Sequence, residues 1–285
     1  SMVRADGSRL DTRGNTEWGR PCMNSPFVEE WFWPQLKDFV PRFPDVSGIF
    51  LDMVMYPEGT CYCNDCREKA AALGLDLTFP EHKDQFEKLT LDRFMTETRA
   101  LIKSLNPAME FTCNNQWFIG GARNEDLDFI ELEAPVGWNS YHYPVMSRYI
   151  RTLPKPSGGM TTRFPKNWGY FGSLSSETQL KYECATILAT LGSCCIGDQL
   201  HPNGRLDEGV YELIGKAYRF VAEREDWALY AKPVPYIAVV ADKRVRATSG
   251  LWNEPGAVRQ SVAALYGSGL TLLESSRHFD IIDEE

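Results

Sequence analysis

No run of eighteen apolar residues occurs anywhere in the chain, so no segment reads as a membrane-spanning helix. The opening residues, Ser1-Met2 and then a polar stretch, hold no apolar core of a secretory signal, although a Ser-Met start suits an expression scar that would hide a natural leader. Eight cysteines in 285 residues are too sparse for a disulfide-built scaffold. Positive charge is in deficit: 30 Lys and Arg stand against 39 Asp and Glu, a net charge of -9. That balance argues against a nucleic-acid backbone or an anionic membrane as partner and favours a neutral ligand. Internal repeats and low-complexity tracts are missing too. Together these absences predict a cytoplasmic globular protein.

What is present is ordinary in bulk, with 43% hydrophobic and 24% charged residues. The length allows one large domain and part of a second. Aromatic content of 12%, with eight Trp and twelve Tyr, suits a pocket that stacks on sugar rings, and extra core aromatics would explain it equally well.

The informative stretch is Val46 to Arg67. Gly48 to Val54 is a short apolar run with β-branched and aromatic members, which predicts a buried strand of a parallel sheet. Asp52 falls near its C-terminal end, where parallel α/β architectures bind ligands; a carboxylate in an apolar run is costly unless paired or used. A backbone-bonded or Arg-paired strand-end Asp is the alternative. Next comes Cys61-Tyr-Cys63-Asn-Asp-Cys66. Three thiols this close suit thiolates converging on a soft cation such as zinc, which takes four ligands, so a fourth must come from elsewhere. Reduced loop thiols, or one bond to a distant cysteine, remain open. Cys184, Cys194 and Cys195 lie in apolar helix or strand context and read as structural.

Along the chain, helix and strand patterns alternate. A helix over Phe27 to Val40, strained at Pro34, precedes the Gly48 strand; short and long helices follow at Arg67 to Leu73 and Phe86 to Leu105. Strands are predicted at Met109 to Asn115, Leu127 to Glu133, Gly159 to Phe164 and Cys194 to Gln199, with helices at Tyr143 to Leu153, Ser176 to Leu191 and Glu208 to Glu225. Strand ends rich in polar and acidic residues are the pattern of an α/β (β/α) barrel of TIM type. Only five strands precede Pro233, so either three βα units lie upstream or the sheet is open. Lys232 to Pro235 reads as a linker, which divides the chain into 1–231 and 232–285. Beyond it, Tyr236 to Val240, a helix from Gly256 to Tyr266, a separate run at Leu270 to Leu273, and Phe279 to Ile282 read as the start of a second parallel α/β domain.

The segments PCMNSP, GIFLDMV with CYCNDC, IELEAP, MTTRFPKNWGYFG and IGDQLHPNGRLDEGVYELIGKAY together resemble a group of (β/α)-barrel glycoside hydrolases related to α-L-fucosidases, over residues 14–227. The zinc-containing β-galactosidases have a similar Cys-x-Asn-Ser-Pro segment and CxCxxC loop, whose four cysteines hold one structural zinc. The likeness therefore implies Cys22, Cys61, Cys63 and Cys66 as ligands of a structural zinc, with no organic cofactor. α-L-Fucosidases have a Trp-Gly-Tyr segment, matched by Trp168-Gly169-Tyr170, and a nucleophilic Asp ending the fourth barrel strand, matched by Asp52. The resemblance also implies that the five strands are the fourth to eighth of the barrel, that a flavodoxin-like domain of the β-galactosidase trimerisation type begins at Val234, and that the chain is cut at both ends.

These implications lead to a retaining exo-glycosidase acting on a terminal deoxyhexose, α-L-fucose first. Retention needs a nucleophilic carboxylate and an acid about 5 Å apart. Asp52 is the candidate nucleophile and Glu133 the candidate acid/base; Glu131 shares its face, and repulsion plus burial would hold one of the two protonated. Pairing of these glutamates with Arg148 or Arg163 is the structural alternative. Candidate sugar contacts are Asn114, with Asn115 and Gln116, then Trp138, Tyr141, His142, Trp168, Asp198 and His201. A β-galactosidase-like activity on the same scaffold is one rival; a non-catalytic, zinc-stapled scaffold or oligomerisation module is another. The expected partners are a carbohydrate and, for the full-length protein, further copies of itself. The fragment alone is expected to be inactive.

Overall fold

The computed structural model describes the chain except for residues 10, 13–14, 53, 55, 57–59, 115–122, 135–140, 167, 242–255 and 284–285; for 11–19, 123–124 and 256–262 it describes the backbone alone. The chain forms two compact units, Ser1–Thr112 and Cys113–Glu285.

In the first unit a short antiparallel pair, β1 (Asp11–Thr12) and β2 (Asn15–Gly19), precedes a π-helical turn over Val28–Phe32 that runs into helix α1 (Trp33–Arg42). The strain expected at Pro34 takes this form. Proline has no N–H to continue the ladder, and the preceding turn widens so that Trp33 N–H reaches Val28 O. Strand β3 (Gly48–Leu51) pairs with β4 (Glu110–Cys113), and Glu110 N–H donates to Ser47 O at 2.8 Å. Between them lie α2 (Asn64–Ala72), closed by Gly74 at φ +71°, and α3 (Pro80–Leu105). Proline in the first turn of α3 starts it earlier than the expected Phe86, because that position needs no N–H. Helix α3 buries Phe86, Leu91, Phe94, Met95 and Ile102, and Trp33 Nε1 of α1 donates to its Thr98 Oγ1 at 3.1 Å.

The second unit opens with the short helix α4 (Arg123–Asp126) and is built on three strands in chain order, β5 (Ile130–Glu133), β6 (Ser157–Thr162) and β7 (Ser193–Gly197), all parallel. The crossovers carry α5 (His142–Ile150) and α6 (Glu177–Ala189); α7 (Glu208–Ala222) and a single turn, α8 (Glu225–Ala228), follow β7. Side chains cap two of these helices: Ser176 Oγ accepts from Gln179 N–H, and Asp207 Oδ1 from Val210 N–H. Ile130 and Leu132 pack with Tyr143, Val145, Met146 and Tyr149 of α5 and with Phe279 and Ile281; a second cluster joins Leu180 and Cys184 of α6 to Ile196, Val210 and Ile214. Burial of each such side chain contributes about 1.5–3 kcal/mol before chain entropy.

A parallel pair, β8 (Ile237–Val240) and β9 (Phe279–Ile282), flanks helix α9 (Gly256–Glu274). The run Leu270 to Leu273, expected as a separate element, is the last turn of α9. Gly267 and Gly269 look like helix breakers, but Gly269 is a contact site: a Cβ there would come within 2.7 Å of Val145. The chain is thus an α/β protein with parallel sheets, and no helix among the described residues is long and apolar enough to cross a membrane.

Candidate functional site

In the first unit the four cysteines named from the sequence converge. Their sulfurs lie within 4.8 Å of one another, with Cys22 Sγ 3.3 Å from Cys66 Sγ and 3.7 Å from Cys63 Sγ. These separations exclude a disulfide, whose sulfurs stand about 2.05 Å apart, and approach the edge of about 3.8 Å that four thiolates adopt around a tetrahedral zinc. Local structure presents them: Cys63 precedes the first residue of α2 and Cys66 sits in its first turn, where the helix N-terminus favours thiolate. Backbone amides point at the sulfurs, from Val3 and Cys63 to Cys61 and from Asn24 to Cys22. Hydrogen bonding from Cys22 holds Cys61 far below the usual thiol range and takes Cys63 down to about 6, while the shared protons push Cys22 and Cys66 up. The four sulfurs can hold a metal ion, whose uptake would expel the thiol protons.

Asp52 directly follows β3 in this unit and is exposed. Glu133, the last residue of β5 in the second unit, is half-buried; Glu131, two residues earlier on the same face, is 6% exposed. Asn114 follows β4 and is buried. Trp138, Asn115 and Gln116 lie outside the described residues. His142 opens α5, where its Nδ1 is hydrogen-bonded to the Tyr266 hydroxyl of α9. Tyr141, beside it, is exposed.

Three of the candidates meet at the C-terminal ends of β6 and β7. Arg163 Nε donates to Asp198 Oδ1 at 2.8 Å, with both side chains almost fully buried. The guanidinium lies over the rings of Phe164, at 4.1 Å, and Phe171, at 4.9 Å. Trp168 packs edge-on against Phe164 and covers Gly197, where a Cβ would strike its ring at 2.6 Å. Phe171 in turn meets the His201 ring at 5.1 Å. Asp198 Oδ1 also accepts from Gln199 N–H, which leaves Oδ2 as an open acceptor among the described residues. Removing either member of a pair this buried costs about 3–5 kcal/mol, because the other charge is left uncompensated. Trp168, Tyr170 and Phe171 are each about 40% exposed, so the cluster offers water an aromatic surface beside one anionic oxygen.

Sequence pattern carries no signal for the arginine that pairs with Asp198, since the same residue suits the glutamates of β5 equally well. Asn24 and Tyr56 are also invisible as neighbours of the cysteines, though Tyr56 OH accepts from Met23 N–H and lies 3.7 Å from Cys22 Sγ.

No protein-family model and no curated protein matches the sequence. Among solved structures, the chain is similar to α-L-fucosidase isoenzyme 2 from Paenibacillus thiaminolyticus, with 29% identity and a TM-score of 0.85 over 100% of this chain and 43% of that one. It is also similar to the β-galactosidase from Bacillus circulans sp. alkalophilus (15% identity, TM-score 0.71, 100% of this chain and 52% of that one). The polyextremophilic β-galactosidase from the Antarctic haloarchaeon Halorubrum lacusprofundi shares the fold at 13% identity and a TM-score of 0.64, over 99% and 53%. The chain therefore spans about half the length of each of these three glycosidases.

Proposed function

We propose that this chain is part of a retaining exo-glycoside hydrolase, with a terminal α-L-fucose as its first substrate. The observation that carries the reading is the similarity to a solved α-L-fucosidase along the whole 285 residues at a TM-score of 0.85. In this reading β3 to β7 are the fourth to eighth strands of a (β/α) barrel, and sequential parallel neighbours such as β5, β6 and β7 support it.

Asp52, directly after β3, attacks the anomeric carbon, and Glu133, ending β5, protonates the leaving oxygen and then activates water. Glu131 supplies a second negative charge on the same face, which favours the protonated form of its neighbour. Asp198 accepts a substrate hydroxyl, and Trp168 covers the apolar face of the sugar. The four cysteines hold a structural zinc, which staples the loop after β3 and takes no part in the chemistry. The solvent-exposed apolar side chains between 227 and 240 support a homo-oligomer.

The test is kinetic. Asp52→Ala in the enzyme is expected to lower turnover of an aryl α-L-fucoside by at least about a thousandfold, with partial recovery in azide as the small anion replaces the carboxylate. Wild-type turnover in that variant removes Asp52 from the mechanism. Faster release from an aryl β-galactoside than from the fucoside would select the galactosidase reading instead, and release from neither would select a non-catalytic, zinc-stapled scaffold.

A further inference from the structure

Asn24 is 5% exposed, and every polar group it carries is engaged within the first unit. Its backbone N–H donates to Cys22 Sγ and its Nδ2 to Cys66 Sγ, both at 3.4 Å. One residue therefore touches two of the four sulfurs. The same Nδ2 donates to Thr90 Oγ1 at 2.9 Å, Oδ1 accepts from Arg93 Nη2 at 3.2 Å, and the carbonyl accepts from Lys69 Nζ at 3.0 Å. Arg93 Nη2 also donates to Met23 O at 2.8 Å. Thr90 and Arg93 are three residues apart on α3 and share a face; Lys69 belongs to α2.

Four thiolates around a divalent cation carry a net charge of about -2, and N–H donors to sulfur disperse it. Asn24 supplies two such donors, and its oxygens bring the positive charges of Lys69 and Arg93 close behind them. We infer that Asn24 is the positioning residue of the cysteine site: it orients Cys22 and Cys66 toward one soft divalent cation and couples occupancy to the docking of helix α3. The inference rests on the metal reading proposed above. Nδ2 is shared between Cys66 Sγ and Thr90 Oγ1, so a shift of that sulfur on cation binding is passed directly to α3.

Cobalt(II) serves as the probe, because tetrahedral cobalt thiolates absorb through sulfur-to-metal charge transfer that responds to hydrogen bonds at sulfur. The wild-type chain is expected to give that spectrum. Asn24→Asp, which replaces the Nδ2 donor by an acceptor, should bind cobalt about 10- to 100-fold more weakly, with the charge-transfer band displaced. Thr90→Val keeps both N–H···S bonds and removes one of the two bonds between Asn24 and α3, leaving that from Arg93. It should leave the band in place yet reduce the slowing of amide exchange over residues 86–98 that cobalt produces in the wild type. Wild-type affinity and band position in Asn24→Asp overturn the positioning role while leaving the metal reading intact. No cobalt uptake by the wild type overturns both. If Asn24→Asp fails to fold, Thr90→Val decides: cobalt-dependent protection of α3 equal to wild type sinks the coupling.

Discussion

His142 opens α5 with its ring hydrogen-bonded and stacked to Tyr266, and burial lowers its pKa from 6.5 to about 4. Burial also pushes the Tyr266 hydroxyl up, so near neutrality the tyrosine donates and Nδ1 accepts. The unfolded chain binds a proton here first as pH falls, because its histidine titrates near 6.5 while the folded one resists until about 4. The stabilisation is therefore complete above about pH 6.5 and is lost as pH falls toward 4, by on the order of 3 kcal/mol. His142→Gln should flatten this dependence. Urea midpoints of wild type and variant at pH 7 and pH 4.5 measure it, and an equal acid loss in both would place the proton uptake elsewhere. His142 reads in sequence as a loop residue able to bind sugar hydroxyls. Its link to Tyr266, 124 residues away, has no local trace in the sequence.

Strand β6 contains adjacent glycines that periodicity alone would count as weak points. Gly158 faces Phe129 and the Ser193 carbonyl, and a Cβ at Gly159 would come within 2.6 Å of both Ile187 and Tyr143. Helix α6 and helix α5 are able to approach β6 only because that surface is bare. Gly159→Ala is expected to destabilise the protein by about 1–3 kcal/mol through overpacking. Gly215→Ala, in α7, should do the opposite by about 0.5–1 kcal/mol, since a Cβ there meets only the flexible end of Arg219 at 3.4 Å and alanine is the better helix former. Denaturant midpoints of the two variants check the pair, and equal signs would contradict the packing account. At this scale much was legible. Helices at α1, α2, α3, α5, α6 and α7 and strands at β3 to β7 fall where periodicity and turn residues put them, with boundaries displaced by a few residues where proline or a capping serine decides the start. The exception is the end of α9, where glycines that look like breakers are packing sites.

For the molecule as a whole, the exposed apolar residues Trp227, Tyr230 and Val234, at 86%, 90% and 82% exposure, stand out in a chain of net charge -9. Large aromatics this open to water favour association with a second copy. Sedimentation equilibrium of the chain is expected to show a reversible oligomer, and replacing these three residues together by serine should shift it toward monomer. A monomer across the concentration range, unchanged by the substitutions, would remove this segment as an interface.

Within the sequence itself lay the alternation of strands and helices, the acidic residue just after β3 and the CxCxxC hook, since each is written in short-range spacing. Resemblance to known barrels supplied Cys22, and in the folded chain its sulfur stands 3.3 Å from that of Cys66. Tertiary structure alone decided that Arg163 is bound to Asp198, that His142 turns to Tyr266, and that Asn24 ties the cysteines to α3. Spacing along a chain specifies which way a side chain points from its own element, whereas the partner it meets depends on which other element packs opposite, and that is settled by the sum of many distant contacts.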